Sequence, residues 1–77
     1  MKKIKIDAKL YKVAVGHNGF FYPDYNTVIH SVAKDEDLEV RILSYVTGDN
    51  SVAAVFGKLP NQDEEAVFFV KKEDILF

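Results

Sequence analysis

Apolar and polar residues alternate along most of this chain. Ile4, Ile6 and Ala8 interleave with Lys3, Lys5 and Asp7, and Tyr11, Val13 and Val15 with Lys12 and Ala14. Leu38, Val40 and Ile42 interleave with Glu39 and Arg41, and Val46 falls on the same side beyond Ser44. A period of two belongs to a strand with one buried and one wet face, the habit of antiparallel sheets. An amphipathic helix needs apolar residues at steps of three and four, which these segments lack.

Turn residues punctuate the pattern. Asn18-Gly19 lies between Val13–Val15 and Phe20–Tyr22, and both tolerate positive φ, so a tight hairpin is expected there. Thr47-Gly48-Asp49-Asn50 separates 38–46 from 51–59, and Pro60-Asn61-Gln62-Asp63 separates the latter from Ala66–Val70. Lys71-Lys72-Glu73-Asp74 reads as one charged turn before a last short strand, Ile75-Leu76-Phe77. A chain ending on three apolar residues is expected to bury them. Asn26 to Lys34 is ambiguous. Asn26 or Thr27 could cap a helix with Ile29, Val32 and Ala33 on one face, yet Thr27, Val28, Ile29 and Val32 are β-branched and favour a strand or an extended loop.

In its C-terminal half this layout resembles the Src-homology-three-like small barrels. Segments 38–46, 51–59 and 66–70 correspond to the three-stranded meander, Lys71–Asp74 to the short helical turn and Ile75–Phe77 to the closing strand. Gly16 to Asp37 then corresponds to the long first loop. The resemblance implies an all-β, five- to six-stranded antiparallel barrel in a single domain over residues 1–77. The alternatives are an oligonucleotide-binding-type barrel and an α+β fold with a short helix at 26–36. The chain lacks the tryptophan of the peptide-binding members, and Lys71-Lys72 stands where their last-turn proline would be, so recognition of proline-rich peptides is not carried over. Fold alone transfers no function.

Composition narrows the classes. Seventy-seven residues allow one domain with a small core. The chain has no cysteine, which excludes thiolate metal sites and thiol catalysis and points to a reducing, cytoplasmic setting. No apolar run approaches the roughly 18 residues of a membrane-spanning helix. The net charge of −2 hides an uneven distribution: residues 1–34 carry six lysines against Asp7 and Asp24, whereas residues 35–77 carry ten carboxylates against Arg41, Lys58, Lys71 and Lys72.

Candidate chemistry is sparse. The one unusual cluster is Gly16 to Tyr25, where His17, Phe20, Tyr22, Asp24 and Tyr25 form a candidate partner-binding set in an aromatic loop. The plainer reading of the same loop puts Phe21 inside and Phe20 and Tyr22 outside. Lys3, Lys5, Lys9 and Lys12 could meet phosphate while the loop aromatics stack bases, giving a single-stranded nucleic-acid module as the alternative function. A pI near 5.6 counts against that, and lysines along a first strand also discourage edge pairing. Asp35-Glu36-Asp37 with Glu39, and Asp63-Glu64-Glu65, form acidic turns without calcium-loop spacing. His17 and His30 are the two histidines, and an enzyme reading would use one as general base, but no motif supplies a nucleophile or an orienting acid. The sequence therefore points to a non-enzymatic interaction or regulatory protein, of the accessory or phage-type inhibitor kind. It would bind a macromolecule, most simply a protein, through the loop 16–25 and the acidic turns, with no cofactor or metal.

Overall fold

The computed structural model describes residues 1–45, 50–60 and 62–77. Their strands are β1 (Lys2–Ile4), β2 (Lys9–Val15), β3 (Phe21–Ser31), β4 (Glu39–Ser44), β5 (Val52–Gly57), β6 (Ala66–Lys71) and β7 (Ile75–Leu76), with a 3₁₀ turn at Lys72–Asp74 before β7. They form one antiparallel sheet in the order β3-β2-β6-β5-β4-β1-β7. The meander β4-β5-β6, the short turn and the last strand therefore lie where the alternation and turn residues place them. The expected turn at Thr47–Asn50 falls mostly outside the described residues.

The sheet is open, which corrects the barrel and with it the Src-homology-three resemblance. β7 pairs with β1 alone and β3 with β2 alone, so the two ends of the order do not meet. Gly16 to Asp37 is no long loop either, because Phe21–Ser31 forms an eleven-residue strand. Its β-branched and aromatic residues suit a pleated surface, and the helix considered for 26–36 does not form. Val32 continues the ladder beyond β3, donating its N–H to the Ala8 carbonyl at 3.0 Å and accepting from the Asp7 N–H at 2.8 Å.

The β3 edge is poorly suited to closure. The Gly16 N–H donates to the Phe20 carbonyl at 2.9 Å, so alternation along the hairpin turns the backbone of Pro23 toward the free edge. Proline offers no donor there. Further on, the register shifts at Leu10/Tyr11 and again at Tyr11/Lys12, and the Ala33 N–H is taken by Glu36 Oε1 at 3.1 Å. Proline, bulges and a capped donor interrupt the row of free groups that a closing strand would need.

The main core lies on one face. Leu10 from β2, Val40 from β4, Ala53 and Val55 from β5, and Phe68 and Val70 from β6 form one buried cluster, joined by Ile4 and Ile75. Ala8, Val32, Leu38 and Leu59 from the connections complete it. Among the described residues no polar or charged residue is buried. Gly57 lets β5 approach β4 closely, since a Cβ there would lie 2.9 Å from Val40 Cγ1 and 3.1 Å from the Glu39 carbonyl oxygen.

The opposite face has a smaller cluster of Tyr11, Val52 and Phe69, with Val13 and Ala54 packed against it. Both faces of the central strands thus carry apolar residues, which simple alternation does not announce. At the chain ends the alternation overreaches. β1 stops at Ile4, Asp7 turns the chain with φ 68°, and Ile6 is exposed. Of the last three residues only Ile75 is buried, which corrects the expectation that all three are. Phe77 lies on the surface beside Tyr45, with Lys2 Nζ over its ring at 5.2 Å.

Candidate functional site

The β2–β3 hairpin carries the aromatic cluster. Its loop closes on two bonds, Gly19 N–H to the Gly16 carbonyl at 3.0 Å and Gly16 N–H to the Phe20 carbonyl. Gly19 has φ 79°, and Asn18 Oδ1 accepts from the Phe20 N–H at 3.2 Å. This is a three-residue loop, His17–Gly19, ending on a left-handed glycine. Only Gly19, and not Asn18, uses the positive φ that the pair allows.

Beyond Tyr11 the pairing of β2 with β6 ends, whereas that with β3 continues to Val15 and Phe21. The hairpin therefore runs on from the sheet as a two-stranded arm. Between Lys12 and Asp24 the chain has no Asp, Glu, Lys or Arg. Phe20 is 72% exposed, Phe21 61% and Tyr22 48%, and Val15 opposite Phe21 is exposed as well. The rings cannot all turn inward because the arm is two strands wide and has no layer over its tip.

At the base of the arm the side chains work locally. One step on β2, from Lys12 to Tyr11, spans four on β3, from Asp24 to Val28, so residues 25–27 bulge out. Asp24 holds that bulge: Oδ1 accepts from the Asn26 N–H at 3.0 Å and Oδ2 from Thr27 Oγ1 at 2.9 Å. Tyr25 is swung over the sheet and meets Tyr11 edge-on, centroids 4.9 Å apart. The candidate set thus divides. His17, Phe20 and Tyr22 sit at the exposed tip, while Asp24 and Tyr25 also shape the arm's base. Phe21 is exposed, contrary to the plainer expectation that it packs inside, and Val15 joins it at the tip. The signal for both was available in the alternation, since a hairpin that sets Val15 opposite Phe21 puts them on one face.

The lysines do not form one surface. β1, with Lys3, and β2, with Lys9 and Lys12, are separated by β6, β5 and β4. Lys3 Nζ pairs with Asp37 Oδ1 at 3.1 Å, which raises the lysine's pKa, and the Lys5 N–H bonds the Asp74 carbonyl. Lys9 and Lys12, three residues apart, point to opposite faces of β2. Nor do these lysines guard an edge, since β1 and β2 each lie between two neighbours.

The acidic turns are partly spoken for. Glu36 sits between His30 Nε2, at 2.8 and 3.0 Å, and the Ala33 N–H. The hydrogen bond from His30 holds its carboxyl below the ordinary carboxylate range, with the Ala33 N–H adding to the effect against partial burial. Arg41 pairs with Glu65 at 3.2 Å and lies over Phe56. Asp35, Asp63 and Glu64 make no ion pair among the described residues. His30 is bonded within the fold while His17 stands exposed at the arm tip, so the two histidines do not form a pair. Among the described residues no group of three potential metal ligands converges, and no helix is long and apolar enough to cross a membrane.

No protein-family model, curated protein or solved structure matches this chain.

Proposed function

We propose that the chain is a non-enzymatic interaction protein that grips a protein partner with the tip of the β2–β3 arm. The supporting observation is the stretch from Val13 to Pro23, which has no Asp, Glu, Lys or Arg and holds three adjacent exposed rings, Phe20, Phe21 and Tyr22. Exposed aromatics free of charge are the residues that interface centres select, because they lose large apolar area and little side-chain entropy on binding. The interrupted β3 edge favours docking by side chains over addition of a strand. His17 at the tip adds a hydrogen-bonding group among the rings, and the acidic turns would contribute charge at the rim.

The test is affinity capture from the source cell with the wild-type chain and with the double variant Phe20→Ala/Tyr22→Ala. Proteins retained by the first and lost by the second, with equal unfolding midpoints, support the reading. An unchanged set of captured proteins removes the arm from the interface.

A further inference from the structure

The second face of the sheet is only half covered, and its chemistry is self-complementary. Pair by pair across the sheet, Val15 faces Phe21, Val13 faces Pro23, Tyr11 faces both Val28 and Phe69, Phe69 faces Ala54, and Val67 faces Phe56. Residues directly opposite in an antiparallel pair share a face with Cβ atoms about 5 Å apart, so these side chains form one continuous apolar surface across β3, β2, β6 and β5. Tyr11 and Phe69 at its centre are already buried within the chain, Phe21, Val28 and Val67 around them are exposed, and Tyr25 joins through its contact with Tyr11.

Charge is set at the two ends. Along β6 the residues of this face run Glu65, Val67, Phe69, Lys71, with Asp63 and Glu64 just before them and Lys72 just after. One step beyond the Leu10–Val70 pair, the same register brings Lys9 beside Lys71. Neither lysine has an ion pair among the described residues. Glu73 lines an open pocket with Ser51, Lys71 and Lys72, and the three lysines Lys9, Lys71 and Lys72 outweigh it and Asp74 at this end. At the other end Arg41 is engaged by Glu65, and Lys58 is the remaining cation against Asp63 and Glu64.

We infer that this face docks on the same face of a second copy of the chain, the two β6 strands running in opposite directions. A two-fold axis then lays the exposed apolar residues around that centre on their own equivalents and sets Lys9 and Lys71 of each copy toward Asp63 and Glu64 of the other. Two sheets packed face to face about 10 Å apart are the ordinary way to bury a second apolar face, and a closed isologous contact leaves no site open for further growth. Four strands about 4.8 Å apart and six residues long span roughly 20 Å by 20 Å. That is at most on the order of 400 Å² of face on each copy, below the roughly 800 Å² per partner of a standard interface, so the dimer is weak and reversible. It leaves Phe20 and Tyr22 free, being even-numbered and so on the other side of the arm, and it does not depend on the function proposed for the tip.

Sedimentation equilibrium from about 5 to about 500 µM tests it, the span over which a micromolar dimer dissociates. The wild type should pass from monomer to dimer, and Val67→Lys should remain monomeric with amide dispersion retained. Val28→Lys replaces it if that variant does not fold. Lys9→Glu/Lys71→Glu should weaken the dimer at least about tenfold at low salt, and adding Asp63→Lys/Glu64→Lys should restore it, as complementary charge requires. A wild type that stays monomeric throughout overturns the inference. So does a dimer indifferent to Val67→Lys, or one abolished by Phe20→Ala/Tyr22→Ala, which would put self-association at the arm tip.

Discussion

Two pairs of adjacent phenylalanines, Phe20-Phe21 and Phe68-Phe69, offer a sharp comparison of burial. Phe68 is fully buried in the main core on a central strand, whereas Phe21 is mostly exposed at the arm tip. Truncating a buried phenylalanine to alanine costs about 3–5 kcal/mol, the sum of lost transfer energy and the cavity left behind. Relaxation at Phe68 is limited because it pairs with Val55 of β5 and the next two residues of its strand, Phe69 and Val70, are paired on both sides, to β2 and β5. At about 0.05–0.15 kcal/mol per residue, a 77-residue chain has about 4–12 kcal/mol in total. Phe68→Ala therefore removes between about a quarter and all of it, while Phe21→Ala stays within about 0.5 kcal/mol. In urea, with a slope of about 1 kcal/mol per molar for a chain this small, the first variant should shift its midpoint by about 3 M or begin unfolding in plain buffer. The second should match the wild type. A Phe68→Ala midpoint within about 0.5 M of wild type at unchanged slope would refute the core assignment, as would a Phe21→Ala loss of similar size.

Two further outcomes follow from the same structure. Glu36 has a lowered carboxyl pKa, so the stability it contributes is present above the unfolded value near 4.5 and is lost as pH falls through the lower folded value. Glu36→Gln should flatten the acid limb of a plot of urea midpoint against pH, and an unchanged acid limb would show that the His30 contact carries no stability. At the C-terminus, Ile75→Ala should cost about 2–5 kcal/mol because Ile75 is buried against the core. Removing Leu76 and Phe77 should cost less, since both are exposed and the deletion forfeits mainly the Lys3–Leu76 pairing. Thermal melts of the two variants would reverse that order if the last strand were held by its tip.

The strands of the C-terminal half were legible because each is short, alternating and bounded by turn residues. The expected segments 38–46 and 51–59 contain β4 and β5 in full, Ala66–Val70 contains β6 but for Lys71, and Lys71–Asp74 shortens to a 3₁₀ turn. The hairpin at Asn18-Gly19 was legible for the same local reason. What alternation could not carry was the second apolar face. Phe68-Phe69 and Val52-Ala53 put an apolar residue on each side of the sheet, and sequence does not say which side a layer covers.

The amino-acid sequence by itself determined the short alternating strands of the C-terminal half, the hairpin tip, and an aromatic segment from Val13 to Pro23 that has no Asp, Glu, Lys or Arg. Those are local properties, set by side-chain period, backbone preference and composition within a few residues. Tertiary structure alone decided that β2 and β3 continue as an arm, that Asp24 holds a bulge, and that Lys3 and Lys9 lie far apart in the sheet. It also decided that β7 meets β1 and never β3, leaving the sheet open. Each of these depends on which strand ends up beside which, and that choice is made by long-range pairing and burial rather than by neighbouring residues.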